Sequence, residues 1–272
     1  MTQIPTNALK TFTGTLVLAG AGKMGGAMLT GWLKQGLDPA RVVVIDPYVS
    51  DEITALGVAI NPADVSDVSV LVVAVKPQMF REAGAALKAL VQTETLVVSI
   101  MAGATIAAIT EVCGGRVIRA MPNTPAAIGR GITVAVPSAD VSADQRAIAD
   151  ALLRATGGVE WVDDETLMDA VTAVSGSGPA YVFLLAEELA RAGVAAGLPE
   201  ALATTLARAT VSGSGELLHQ SQLDSATLRK NVTSPGGTTA AALAVLMADD
   251  GMQPLMTRAV AAATARSIEL AK

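Results

Sequence analysis

Histidine and cysteine are nearly absent from this chain: His219 and Cys113 are the single examples of each among 272 residues. One thiol allows no intrachain disulfide and no thiolate cage for a metal. His219 falls near the end of a helical pattern, where a solvated position is expected, so neither a Ser-His-Asp relay nor a His-based zinc site is predicted. Aromatic residues make up 3% of the chain although 51% is hydrophobic, so the apolar content comes mainly from Ala, Val, Leu and Ile. Side chains this small suit closely approaching helices and strands. The apolar runs are broken by Gly, Pro or charge, and none has the length of a membrane span. Met1 to Gly14 lack a charged segment followed by an apolar one, so no secretory signal is expected and a cytoplasmic address is. A formal charge of −6 without a basic stripe argues against wholesale nucleic-acid binding. Chemistry must come from a cofactor, the backbone, hydroxyls or carboxylates.

What is present divides in two. Short β-branched runs at Thr15–Ala19, Arg41–Ile45, Val68–Val75, Thr95–Ile100 and Arg116–Ala120 alternate with helical patterns. This rhythm predicts βαβ units and a mostly parallel sheet. After Trp161 the strand signals stop. Ser177-Gly178-Pro179 reads as a helix cap, Leu198-Pro199-Glu200 opens another helix, and further helices are expected from Thr239 and from about Pro254. Tyr181 and Phe183 are expected to pack within this helical part. The expected organisation is α/β: a Rossmann dinucleotide-binding domain over residues 1–165, with 1–13 a loose extension, then an all-helical domain over 166–272. Those helices are apolar on too many sides for a solvated monomer, which points to a subunit interface.

Gly20-Ala21-Gly22-Lys23-Met24-Gly25 is a G-x-G-x-x-G between a strand and a helix. Its glycines permit a tight turn, close approach of a pyrophosphate and close helix–sheet packing. The second strand ends in Asp46, placed to hydrogen-bond a ribose 2′-OH and to repel a 2′-phosphate, which favours NADH over NADPH. The same Asp, before Pro47, could instead form a turn. Lys76, at the end of the third strand, could approach the cofactor or stand as a solvated charge.

In the helical half, Ser234-Pro235-Gly236-Gly237-Thr238-Thr239 has Pro and Gly at the second and third positions of a tight turn. The alanine-rich helix that follows makes the segment a candidate carboxylate cradle of backbone N–H groups and hydroxyls. Thr239 could serve there as a reactive hydroxyl or as an ordinary N-cap.

Five motifs, in order across nearly the whole chain, resemble those of the pyrroline-5-carboxylate reductases, enzymes of the last step of proline biosynthesis. They are Gly20 to Gly25, Ala74-Val75-Lys76-Pro77, Arg119 to Pro125, Ser175 to Tyr181 and Asn231 to Thr239. The resemblance implies a helical domain that forms a homodimer, with assembly into decamers common. It implies NAD(P)H as cofactor, contacted by Gly20 to Gly25, Asn61, Ala74, Val75, Lys76, Pro77, Ile100, Met101, Ala102 and Asn231. Glu165, Ser234, Gly237, Thr238 and Thr239 are implied to surround a small cyclic imino acid. Met121 and Pro122 are expected to shape the pocket. Hydride addition to a protonated imine needs no strong base, which suits the scarcity of histidine. Thr239 is the candidate to hydrogen-bond the ring nitrogen, with Ser234 and the Gly237 and Thr238 amides on the carboxylate. The resemblance departs at Asp46, where many relatives carry Ser, Thr or Asn and accept NADPH. A β-hydroxyacid dehydrogenase would share the architecture but needs a helix-borne Lys, and Gly176 to Glu188 contains none. A non-catalytic dinucleotide sensor would keep the glycine motif and have no need of the 234–239 turn.

Overall fold

The computed structural model describes residues 8–270. These form two compact units, one of residues up to Gly176 together with Thr264 onward, the other Ser177–Ala263. In chain order the first unit holds β1 (Thr15–Ala19), α1 (Lys23–Lys34), β2 (Val42–Ile45), α2 (Asp51–Thr54), β3 (Ala59–Ile60), β4 (Val68–Val73), α3 (Pro77–Leu90) and β5 (Leu96–Ser99). It continues through α4 (Ile106–Cys113), β6 (Arg116–Met121), β7 (Gly131–Pro137), α5 (Ala143–Arg154), β8 (Gly157–Trp161) and α6 (Met168–Val171). The strands make one sheet in the order β3-β2-β1-β4-β5-β6-β7-β8. All neighbours run parallel except β6 and β7.

The continuous apolar strands follow from burial on both faces. Leu16, Leu18, Val70, Val72, Leu96 and Val98 face one way, against Met28, Leu29 and Trp32 of α1 and Leu152 and Leu153 of α5. The alternate residues Val17, Ala19, Leu71, Val73 and Val97 face Phe80 and Leu87 of α3 and Ile109 and Cys113 of α4. Trp32 is fully buried, and its indole N–H donates to the Leu152 carbonyl at 2.8 Å. Burial also pushes the Cys113 thiol up to about 11, leaving it a neutral core group.

The structure adds two details to the expected boundaries of this unit. Residues 1–7 of the expected loose extension lie outside the described residues, but Leu9 is 4% exposed and joins the core, with Phe12 packed against it. The chain before β1 is thus anchored by apolar burial. The compact units divide at 176/177, because α6 and the π-helical turn Thr172–Gly176 bury Met168 and Ala173 with the first unit. Asp169 of α6 also accepts a 2.6 Å hydrogen bond from the Ser267 hydroxyl.

The second unit holds α7 (Gly178–Ala195), α8 (Glu200–Gln220), α9 (Ser225–Asn231), α10 (Thr238–Leu246) and the first part of α11 (Met252–Leu270), whose end groups with the first unit. Ser177 has helical dihedrals and its side chain caps nothing, so the expected cap is not formed. Helices α7 and α8 meet through small residues: a Cβ at Gly193 would lie 3.1 Å from that of Ala203. Much of the apolar surface stays uncovered. Phe183 is 62% exposed and not packed in the core as expected; Leu184, Leu206, Leu217, Val245 and Leu255 are exposed as well. No helix among the described residues is long and apolar enough to cross a membrane.

Candidate active site

The strand order reverses direction at β1 and β4, which are neighbours although two strands separate them in sequence. In such sheets ligands bind at the carboxyl ends of the strands beside this switch. Here the glycine turn leaves β1. Gly20 has φ +94°, and a Cβ there would lie 2.7 Å from the Ala74 carbonyl oxygen. A Cβ on Gly25 would collide with the carbonyl of Gly20. Gly22 differs: it is the N-cap of α1, no side chain caps the helix, and a Cβ there would meet open space. The first-turn N–H groups of α1 thus face an approachable surface.

Asp46 closes this turn. Its Oδ2 accepts the Ala21 N–H at 2.7 Å and its Oδ1 accepts the Tyr48 N–H at 2.7 Å. The turn-forming role and the position beside the glycine loop are therefore both present. Asn61, in a left-handed conformation with φ 45°, grips the Asp46 backbone: its Oδ1 accepts the Asp46 N–H at 3.0 Å and its Nδ2 donates to the Asp46 carbonyl at 2.8 Å.

Beyond the glycine turn, across the ends of β4, β5 and β6, a cleft of ≈ 250 Å³ is lined by Met24, Ala74, Val75, Ile100, Met121 to Thr124 and Gly176. Asn123 holds two of its segments. Its Oδ1 accepts the Ile132 N–H at 3.0 Å, and its Nδ2 lies 3.4 Å from both oxygens of Ser175. Among the described residues no group of three or more His, Cys, Asp or Glu is placed to hold a metal ion.

In the second unit, Ser234 to Gly237 form a turn closed by the Gly237 N–H on the Ser234 carbonyl at 3.0 Å, with Gly236 at φ +71°. Pro at the second position and a positive φ at the third are the pattern of a type II turn. Helix α10 then starts with Gly237 as an uncapped N-cap, and its first intrahelical bond is from Ala241 to Gly237. The N–H groups of Thr238, Thr239 and Ala240 are consequently left for a ligand or water.

Sequence comparisons match these two parts to known families. Residues 165–270 match the family described as pyrroline-5-carboxylate reductase dimerisation, and residues 15–103 the one described as NADP oxidoreductase, coenzyme F420-dependent. Over 268 residues the chain is 39% identical to the pyrroline-5-carboxylate reductase of Pseudomonas aeruginosa, a match spanning 96% of this chain and 98% of that one. The chain belongs to the pyrroline-5-carboxylate reductase family. Solved structures agree. That of a pyrroline-5-carboxylate reductase from Coxiella burnetii superposes with a TM-score of 0.87 at 33% identity, covering 96% of this chain and all of that one (100%). The Plasmodium falciparum pyrroline carboxylate reductase with NADP bound gives 0.77 at 28% identity, covering 96% and 99%.

Within this family frame the expected site residues fall into distinct places. Met24, Ala74, Val75 and Ile100 line the cleft. Met101 is buried in the core at 3% exposure, and its N–H donates to the Ser99 hydroxyl at 3.3 Å. Ala102, exposed, follows it. Lys76 is the exposed N-cap of α3, with Pro77 as first helical residue. Asn231 ends α9 in the other unit. The Gly237 amide is not available for a carboxylate, because it closes the turn. Thr239 is not an N-cap, because Gly237 holds that position and Thr239 is the second helical residue. One oxygen of the Glu165 carboxylate is engaged within the first unit: Oε1 accepts from Arg119 Nη1 at 2.9 Å and from the Ile106 N–H at 2.8 Å. Met121 and Pro122 shape the cleft as expected, while Asn123, Thr124 and Gly176 were not anticipated in it; they lie within two of the motifs that carry the resemblance.

The residues present fit a nicotinamide dinucleotide. The uncapped N-terminus of α1, the missing Cβ of Gly22 and the close packing enforced at Gly20 and Gly25 suit a pyrophosphate. The Asp46 carboxylate beside Ala21 suits ribose hydroxyls.

Proposed function

We propose that this protein reduces the C=N bond of 1-pyrroline-5-carboxylate to give L-proline, with NADH preferred over NADPH. The observation that carries the reading is the 234–239 turn. It offers free amides at the start of an uncapped helix together with the Ser234 and Thr239 hydroxyls, on a chain that belongs to this family. A small carboxylate is the ligand such a helix start takes.

The Gly20 to Gly25 turn and the α1 N-terminus hold the pyrophosphate, Asp46 the ribose beside it, and the cleft from Ala74 to Thr124 the nicotinamide end. Bound there, the dinucleotide supplies a hydride. The Thr238 and Thr239 amides and the Ser234 hydroxyl hold the substrate carboxylate, which fixes the ring and lowers the entropic part of the barrier. The Thr239 hydroxyl oxygen accepts from the N–H of the protonated ring nitrogen and so favours that form; hydride addition then neutralises charge and needs no oxyanion hole. Preference for NADH follows from Asp46, whose carboxylate repels a 2′-phosphate. The uncovered apolar faces of the helical unit are covered in a homodimer, consistent with the dimerisation family that matches residues 165–270. Decamers are the larger assembly this reading allows.

Purified protein, given NADH or NADPH with pyrroline-5-carboxylate or its six-membered analogue, tests the proposal. Nicotinamide oxidation with proline as product is expected, faster with NADH; no oxidation of either cofactor by the imine overturns it.

A further inference from the structure

We infer that Glu165 is a positioning residue that holds the walls of the nicotinamide cleft in register; the inference rests on the dinucleotide reading above. Within the acidic run Asp163-Asp164-Glu165, the members do different work. Asp164 caps its own turn, with Oδ1 accepting the Thr166 N–H at 2.9 Å and the Thr166 hydroxyl at 2.7 Å. Glu165 reaches across the sheet edge to two other segments. Its Oε1 accepts from Arg119 Nη1 on β6 and from the N–H of Ile106, the first residue of α4.

Each of the three segments joined there runs directly into the cleft. Arg119 lies two residues before Met121. Ile106 opens α4 directly after the loop that begins at Ile100. Glu165 opens the stretch through α6 that ends at Gly176. Met121, Ile100 and Gly176 are all cleft-lining residues. One carboxylate oxygen therefore joins three walls through partners 46 and 59 residues away in sequence.

The chemistry makes the junction demanding. Arg119 is 4% exposed, and Glu165 is the one salt-bridge partner it has among the described residues. A buried cation left without its partner draws in water or shifts its strand to reach it. The Ile106 N–H is a first-turn donor of α4; Thr105 caps the helix through Ala108, and Glu165 serves Ile106, where the helix dipole favours a negative charge. Removing the carboxylate thus frees the β6 end and the 100–105 loop together.

The test compares two ligands with wild type, Glu165→Gln and Glu165→Ala, each measured well below its melting temperature. NADH affinity is read by fluorescence titration without substrate, and ADP-ribose affinity by calorimetry. ADP-ribose occupies the glycine turn and Asp46 but lacks the nicotinamide. The expected result for Glu165→Ala is NADH affinity weaker by on the order of tenfold with ADP-ribose affinity unchanged. Glu165→Gln should fall between, because it keeps an acceptor for Ile106 but leaves Arg119 uncompensated. Equal losses for both ligands, or no loss for either, would overturn the proposal. So would unchanged NADH binding with a raised KM for pyrroline-5-carboxylate, which would return Glu165 to direct substrate contact. Because the binding arms use no imine, they remain decisive even if the reductase activity is absent.

Discussion

In the proposed reading, Asp46 couples cofactor choice to the shape of the glycine turn. Its two oxygens hold the Ala21 and Tyr48 amides, so the carboxylate that would meet a ribose also fixes the loop under the pyrophosphate. Asp46→Ser should therefore do two things: shift the NADPH/NADH ratio of kcat/KM upward by roughly tenfold or more, and weaken NADH binding through the loosened Ala21 contact. Steady-state kinetics with both cofactors check this, and an unchanged ratio would remove Asp46 from discrimination. Thr239 is a separate case. As the second residue of α10 its hydroxyl caps nothing, so Thr239→Ala should leave stability nearly unchanged and lower kcat by on the order of a hundredfold. A drop in thermal stability with unaltered turnover would make it structural. Sequence placed both residues at the site but could not choose between their roles. For Asp46 the structure holds both roles at once, and the Ala21 amide that its carboxylate accepts lies twenty-five residues away.

At the scale of elements, the strands that follow the βαβ rhythm were legible because double burial forces unbroken β-branched runs. Strand β3, two residues long at the edge, carries too little pattern to read. Strands β7 and β8 fall outside the rhythm, since β7 returns antiparallel to β6 and Glu160 of β8 is exposed. The α1 helix shows how packing and polar satisfaction combine. Trp32 fills the core between β1 and α5 and donates to the Leu152 carbonyl, so Trp32→Ala removes a large buried ring and leaves that carbonyl unpaired. A loss of about 3–5 kcal/mol is expected from the denaturation midpoint at unchanged m-value. A loss under about 1 kcal/mol would show that α1 is held chiefly by other contacts. The 234–239 turn was legible as a turn from its Pro and Gly. Which amide closes it was not, and that detail replaced the Gly237 amide with that of Thr239 beside Thr238 as candidate carboxylate donors.

For the whole molecule, the proposal assigns the dinucleotide to one unit and the substrate carboxylate to the other, whose helices leave many apolar side chains exposed. Scarcity of histidine, noted first in the sequence, agrees with a reaction in which the proton is held by a hydroxyl and the ring is oriented by its carboxylate. Glu165 was read from sequence as part of that cradle. The partners its Oε1 has in the structure, Arg119 and Ile106, are 46 and 59 residues away, and only the closed sheet brings them together. The central claim is that the helix start at Thr238 selects substrates by their carboxylate. It is tested most directly by comparing kcat/KM for pyrroline-5-carboxylate with that for 1-pyrroline, the same ring without the carboxylate, at saturating NADH. The account predicts a preference for the carboxylate of at least roughly a hundredfold, the worth of two charge-assisted hydrogen bonds. Equal values for the two imines would contradict it.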